Sequence, residues 1–324
     1  MMNFSLPSLS EITTAADIVY AALPPTPQYV WPLLCEAIGT EVWLKHENHT
    51  PTGAFKVRGG LVYMQELLQR TPDVRGVIAA TRGNHGQSIA YAARRVGLAA
   101  TIVVPRGNSK EKNAAMRALG AQLIEYGDEF QESREYALVL AEERGLHMVP
   151  SLHRDLVRGV ATSWLELFKA QPALDVVYVP VGQGSGICAA IAARNALGLA
   201  TRIIGVVSSH ARAYQLSFEQ RRLVTSPVTT VLADGLACRV PDPASLAVIF
   251  DDVETIVAVS DADVAEAMKL LFVTTHNVAE GAGAAALAAV MRDKHRLRGL
   301  KVGVPLCGGN VDHEVFAEVL SDAI

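Results

Sequence analysis

Lys56 lies in TPTGAFKVRGG, residues 50–60, between Phe55 and Val57 with glycines on both sides. An ammonium group is costly to bury without a partner. Desolvation lowers its pKa, and the neutral amine is then a nucleophile able to condense with a carbonyl group. Taken alone, the stretch reads equally well as a solvated lysine at a strand end. A second signal is VVYVPVGQGSGICAAIAARNALG, where an apolar strand runs through Gly182, Gln183, Gly184, Ser185 and Gly186 directly into a helix. Glycines let backbone amides approach an anion, and the helix N-terminus adds partial positive charge, so the expected guest is a phosphate. A bare turn is the alternative.

Two familiar phosphate loops do not fit. A dinucleotide fingerprint needs glycine where Ile187 stands, and the next strand ends in Ser208 and Ser209 without an acid. A Walker loop needs a terminal Gly-Lys-Ser/Thr, which is missing. A third signal, ATRGNHGQSIAYAA, places Gly83, Asn84, His85 and Gly86 between a strand end and a helix start. Its amides could hold a carboxylate, and Asn84 offers a donor and an acceptor; an ordinary helix cap reads as well. In PLCGGNVD, Cys307 ends a strand ahead of Gly308 and Gly309, where plain packing is the commoner role of a thiol.

The elements that must position these residues alternate. Strand patterns at EVWLKHE, GVIAA, AATIVVP, AQLIEYG, HMVPS, DVVYVPV, TRIIGVVS and KVGVPLC are separated by helix patterns. One helix is expected after the lysine, in FKVRGGLVYMQELLQR. This rhythm predicts an α/β fold with largely parallel sheet. Residues 76–150 read as a small domain inserted into a larger one made of residues 1–75 and 151–324.

Over 324 residues, hydrophobic types make up 50% and charged types 19%, which predicts a substantial interior. A net charge of −4 without a basic run argues against nucleic acid or an anionic membrane as partner. Cys35, Cys188, Cys238 and Cys307 are scattered, as suits a reducing cytoplasm. The N-terminal stretch lacks the pattern of a signal peptide, and GAGAAALAAV is about half a membrane span.

An amine nucleophile, a phosphate cradle and an anion-binding turn together suit a phosphorylated aldehyde, pyridoxal phosphate, whose ring serves as an electron sink. From TPTGAFKVRGG through RGNHGQS, VPVGQGSGI and LADGLA to CGGNVD, the chain resembles the serine/threonine dehydratase family of fold-type II pyridoxal-phosphate enzymes, which includes serine racemase. The motifs occur in the family order over nearly the whole length. The resemblance implies a tryptophan synthase β-like fold of two open, twisted, mostly parallel sheets flanked by helices. It also implies a homodimer and a mobile small domain.

By that resemblance Lys56 would hold the cofactor covalently, with Phe55 packed near the ring and Asn84 on the ring 3-oxygen. Gly182, Gln183, Gly184, Ser185 and Gly186 would hold the phosphate, although relatives usually carry a run of glycines here. Thr81, Arg82, Gly83 and His85, with Asn84, would form the turn that receives the substrate carboxylate. Gly235 would lie beside the cofactor and Cys307 against the pyridine nitrogen, where a neutral thiol leaves the ring a weaker electron sink than a carboxylate would. Lys56, freed by the substrate amine, would take the Cα proton; loss of the β-hydroxyl then leads to a 2-oxo acid and ammonia.

Departures from the family carry information. Arg82 stands where serine racemases place a serine base; a guanidinium is a poor proton shuttle, so racemisation is expected to be weak. Arg82 either binds a second substrate carboxylate or forms a structural ion pair pointing away. The acidic metal ligands of some relatives correspond to Val207 and Ala213, so no metal is expected, and His46 and His49 do not replace them. Chain beyond CGGNVD is short, so feedback control by an added regulatory domain is not expected. Glu280 matches a family acid of unassigned role, with helix capping as the alternative.

The expected activity is dehydration of threonine, serine or a related L-β-hydroxy-α-amino acid. The alternatives are specialisation for 3-hydroxyaspartate or phenylserine, and amino-acid racemisation.

Overall fold

A computed structural model describes residues 4–322. The strands are β1 (Gln28–Val30), β2 (Glu41–His46), β3 (Val77–Ala80), β4 (Ala100–Val104), β5 (Gln122–Glu125), β6 (His147–Met148), β7 (Val176–Pro180), β8 (Arg202–Ser208), β9 (Thr255–Val259) and β10 (Lys301–Leu306). They form a six-stranded sheet in the order β1-β2-β10-β7-β8-β9 and a four-stranded sheet in the order β5-β4-β3-β6. All neighbours run parallel except β1, which is antiparallel to β2. The α/β class and the two mostly parallel sheets agree with the sequence reading.

Parallel strands covered on both faces read as continuous apolar runs, and β7 shows why. Val176 and Tyr178 face one core, shared with Val302, Val304, Leu306 and the helix Gly281–Asp293. Val177 and Val179 face the opposite core, shared with the helices Arg154–Ala170 and Ser185–Ala196. Each fully buried Val, Leu or Ile contributes roughly 1.5–3 kcal/mol. The Ala-rich run GAGAAALAAV is therefore a core helix, and no helix among the described residues is long and apolar enough to cross a membrane. Capping boxes at Ser8/Glu11 and Ser260/Asp263 start two further helices by satisfying first-turn amides.

Several details differ from the sequence expectation. The helix Lys56–Arg70 begins at the lysine, not after it, with Phe55 as its N-cap. Its glycines serve packing: a Cβ at Gly60 would stand 2.3 Å from Ser88 Oγ, and one at Gly59 2.7 Å from the Leu156 carbonyl oxygen. The helices Asn84–Arg95 and Arg154–Ala170 thus press directly on its first turns. Strands β1 and β9 were not read from the sequence; both are edge strands, and β1 spans three residues.

In sheets of this kind ligands gather outside the carboxyl ends of the strands, where the winding direction reverses. Here β7, β8 and β9 step outward, and β10 returns to lie between β2 and β7. The loops leaving β3, β7 and β10 open onto one cleft.

Candidate active site

Lys56 stands at the cleft wall, partly exposed to it, with Nζ donating to Ser185 Oγ at 2.8 Å and lying 5.0 Å from the Phe55 ring centre. Desolvation pushes its pKa down to about 8, against a weaker opposing effect of Cys307. An isolated bridge between Ala54 and Gly308 and the bond from Phe55 N to the Cys307 carbonyl (3.0 Å) tie the lysine loop to the end of β10.

The loop after β7 has almost no side chains to fill it. Gly184 has φ +95°, a left-handed value, and a Cβ there would meet Ser245 Cβ at 2.4 Å. A Cβ at Gly182 would meet the Gly235 carbonyl oxygen at 2.4 Å. The Gln183 side chain turns to Cys238 Sγ at 3.5 Å. The helix Ser185–Ala196 starts here with no side-chain cap. The result is a concave set of amides at a helix N-terminus.

The turn after β3 forms the facing wall. Thr81 Oγ1 accepts from Gly83 N at 2.9 Å and Gly86 N at 3.3 Å, so its hydroxyl staples the turn. His85 is buried, and burial with the neighbouring Lys56 pushes its imidazole down to about 3, so it is neutral. Asn84 Nδ2 donates to Glu280 Oε1 at 2.5 Å, and Asn84 Oδ1 accepts from Asn310 Nδ2 at 2.9 Å. Arg82 lines the cleft and makes no ion pair among the described residues. Burial pushes the Cys307 thiol up, and its Sγ lies 3.5 Å from the Ala282 carbonyl oxygen, so it stays a neutral thiol.

Phe55, Lys56, Thr81, Arg82, Gly83, Asn84, His85, the loop 182–186, Gly235, Glu280 and Cys307 therefore all border one cavity, although they come from positions 55 to 307. Outside it are His46, pushed down to about 4 chiefly by burial and bonded by Trp31 Nε1 at 3.0 Å, and His49, bonded to Asn277 at 2.8 Å. Val207 and Ala213 are buried apolar residues. Among the described residues no cluster of three or more His, Cys, Asp or Glu has metal-binding geometry.

Two groups of residues were missed. Lys112 reaches into the cleft from the helix Lys110–Ala118 and pairs with Asp234 at 2.7 Å and Glu280 at 3.3 Å. Behind the lysine helix, the buried Arg58 donates to Glu47 Oε2 (2.8 Å), Glu166 Oε1 (2.6 Å) and Thr162 Oγ1 (2.9 Å), while Lys45 binds Glu166 at 2.5 Å. Two cations and two carboxylates balance there, and the attraction of Arg58 and Lys45 holds the Glu47 carboxyl below its ordinary pKa despite burial. The one local signal was Arg58 itself, a charge inside an apolar helix.

The profile of the family described as "Pyridoxal-phosphate dependent enzyme" matches residues 19–308. The chain belongs to that family. The enzyme is 34% identical to the L-threonine ammonia-lyase of Thermotoga maritima over 90% of its own length and 73% of that protein. It is 32% identical to the L-threo-3-hydroxyaspartate ammonia-lyase of a Pseudomonas species, covering 97% and 99% of the two chains. The solved structure of maize serine racemase superposes with a TM-score of 0.90 at 25% identity, covering 98% of both chains. Pyridoxal phosphate is the enzyme's cofactor, and the cavity fits it. Lys56 is an amine of depressed pKa, and the Gly182–Gly186 loop is an amide cradle that a side chain would fill.

Proposed function

We propose that the enzyme eliminates water from an L-β-hydroxy-α-amino acid to give a 2-oxo acid and ammonia, and that its preferred substrate carries a second carboxylate, as 3-hydroxyaspartate does. The observation that carries the dehydratase reading is the hydrogen bond from Lys56 to Ser185, which sets a depressed-pKa amine against the glycine cradle. Lys56, Phe55, Asn84, Gly235, Cys307 and the loop Gly182–Gly186 would hold the cofactor, with Asn84 toward the ring 3-oxygen and Cys307 toward the ring nitrogen. When bound, the cofactor withdraws electrons from the substrate Cα.

The remaining work falls to the chain. Amides of the turn Thr81–His85 bind the α-carboxylate, and neutral His85 adds no competing charge there. Lys56, neutral above about pH 8, takes the Cα proton. The uncharged Cys307 thiol offers the ring nitrogen no carboxylate, which favours prompt loss of the β-hydroxyl. Arg82, the cleft cation without a carboxylate of its own among the described residues, binds the distal substrate carboxylate. The Pseudomonas relative is named for 3-hydroxyaspartate and the Thermotoga relative for threonine, so the choice between them rests on Arg82.

Residues 76–150 act as the small mobile domain and residues 1–75 with 151–324 as the large one; residues 1–3 and 323–324 lie outside the described residues. The separate four-stranded sheet supports this division. A homodimer in the cytoplasm completes the reading; the four unpaired cysteines support the compartment alone. The test is release of ammonia and 2-oxo acid from serine, threonine, threo- and erythro-3-hydroxyaspartate and phenylserine. The threo-3-hydroxyaspartate signal should lead and should vanish in Lys56→Ala. Silence across the panel from a cofactor-loaded enzyme overturns the proposal.

A further inference from the structure

Asn84 is held by both ends of its amide. Nδ2 donates to Glu280 Oε1, and Oδ1 accepts from Asn310 Nδ2, which also donates to the Thr52 carbonyl oxygen at 2.8 Å. An ionised carboxylate can only accept, so a charged Glu280 requires the NH2 group on its side and leaves Nδ2 one spare N–H. A protonated Glu280 could itself donate. It would then oppose the NH2 group donor to donor, or accept from it only through a neutral, weaker bond, while Asn310, whose amide Thr52 fixes, still holds the Oδ1 end. The charge on Glu280 therefore decides how firmly the NH2 end of Asn84 is held.

Lys112 is the cation that governs that charge. Glu280 is 2% exposed, and its Oε2 has the Lys112 ammonium, 3.3 Å away, as its ion-pair partner. Burial, the largest effect, and Asp234 push its carboxyl above the ordinary pKa; Lys112 is the cation that opposes them. Glu280 is also the N-cap residue of the helix Gly281–Asp293, whose N-terminal end favours an anion. The Lys112 stem lies over the turn that bears Asn84, since a Cβ at Gly83 would stand 2.4 Å from Lys112 Cδ. Asp234 fixes the ammonium from the other side at 2.7 Å.

We propose that Lys112 is a positioning residue that keeps Glu280 ionised, that Glu280 thereby fixes the Asn84 amide with its spare N–H available to the cleft, and that this sets the proton affinity of the cofactor's ring 3-oxygen. The inference rests on the reading that Asn84 faces that oxygen. A donor N–H stabilises the ionised oxygen and lowers its pKa. Loss of Lys112 lets Glu280 take a proton, loosens the NH2 end of the amide and leaves the ring oxygen protonated to higher pH.

The experiment is a visible-absorbance pH titration of the holoenzyme and of loaded Lys112→Met, Glu280→Gln and the double variant, with folding checked by circular dichroism. The single variants should titrate higher by roughly one pH unit. The double variant should match Glu280→Gln, because Lys112 acts through Glu280. A Lys112→Met titration that superimposes on wild type overturns the proposal. So does a double variant whose shift is the sum of the two. Should Lys112→Met fail to fold, an unshifted Glu280→Gln overturns the proposal in its place. An unchanged titration in Asn84→Ala instead removes the premise about the cofactor's placement, and the proposal with it.

Discussion

Lys56 and Ser185 join the first residue of one helix to the first residue of another through the 2.8 Å bond from Nζ to Oγ. Two helix N-termini therefore converge on the same point of the cleft. Their partial positive charges favour an anion there and disfavour an ammonium, which suits both a phosphate guest and an amine nucleophile.

Replacing Lys56 tests the chemistry directly. Lys56→Ala should lower turnover of the best substrate by roughly 10³-fold or more, the scale of a lost general base, and should abolish the visible band of the loaded enzyme. Coupled assay of 2-oxo acid, with an absorbance spectrum of the same sample, checks both.

The depressed pKa of Lys56 predicts a pH dependence. Capture of pyridoxal phosphate by the apoenzyme should speed up with rising pH and level off above about pH 8, where the amine is neutral; stopped-flow absorbance measures it. Stability moves in step. Between about 8 and the ordinary value of 10.5 the unfolded chain binds the proton that the folded chain has released. The apoprotein should therefore gain stability relative to Lys56→Met as pH rises through that window.

Arg82 should control substrate choice rather than the chemistry. Arg82→Ala should cut kcat/KM for threo-3-hydroxyaspartate by roughly 30-fold, about 2 kcal/mol for a lost charge-assisted contact. The values for threonine and serine should stay within a few-fold. An equal loss on all three substrates would assign Arg82 to the turn's architecture.

Arg58 is a stability determinant for the lysine helix. Arg58→Met leaves Glu47 and Glu166 buried with one cation between them, and should destabilise the protein by about 3–5 kcal/mol. Denaturant unfolding of the apoprotein measures this, and a loss under about 1 kcal/mol would refute it.

What the sequence made legible was local. A glycine turn following an apolar strand and opening a helix is contained in a dozen residues, so the loops at Gly182 and Gly83 could be read as anion sites. The sheet class followed from the same alternation. Contacts between distant residues were not legible. Arg58 and Glu166 are separated by 108 positions, and Lys112 and Asp234 by 122. No spacing rule couples them; only the packing of two sheets does. Glu280 shows the intermediate case, recognised as an acid near the site while its bonds to Asn84 and Lys112 waited on the fold. The edge strand β1 escaped for want of length, with only three residues, whereas β9 carries the apolar run TIVAV and was legible in the sequence.

The position of β10 bears on how the enzyme is made. During synthesis β2 and β7 emerge early, but the strand that belongs between them is not translated until residues 301–306. Until then the central gap exposes two unpaired strand edges, and the cleft lacks Cys307. A nascent chain can therefore close its four-stranded sheet on the ribosome while the catalytic half stays open. Cofactor loading becomes one of the last events in its biogenesis, and ribosome-bound chains stalled before β10 should not capture pyridoxal phosphate.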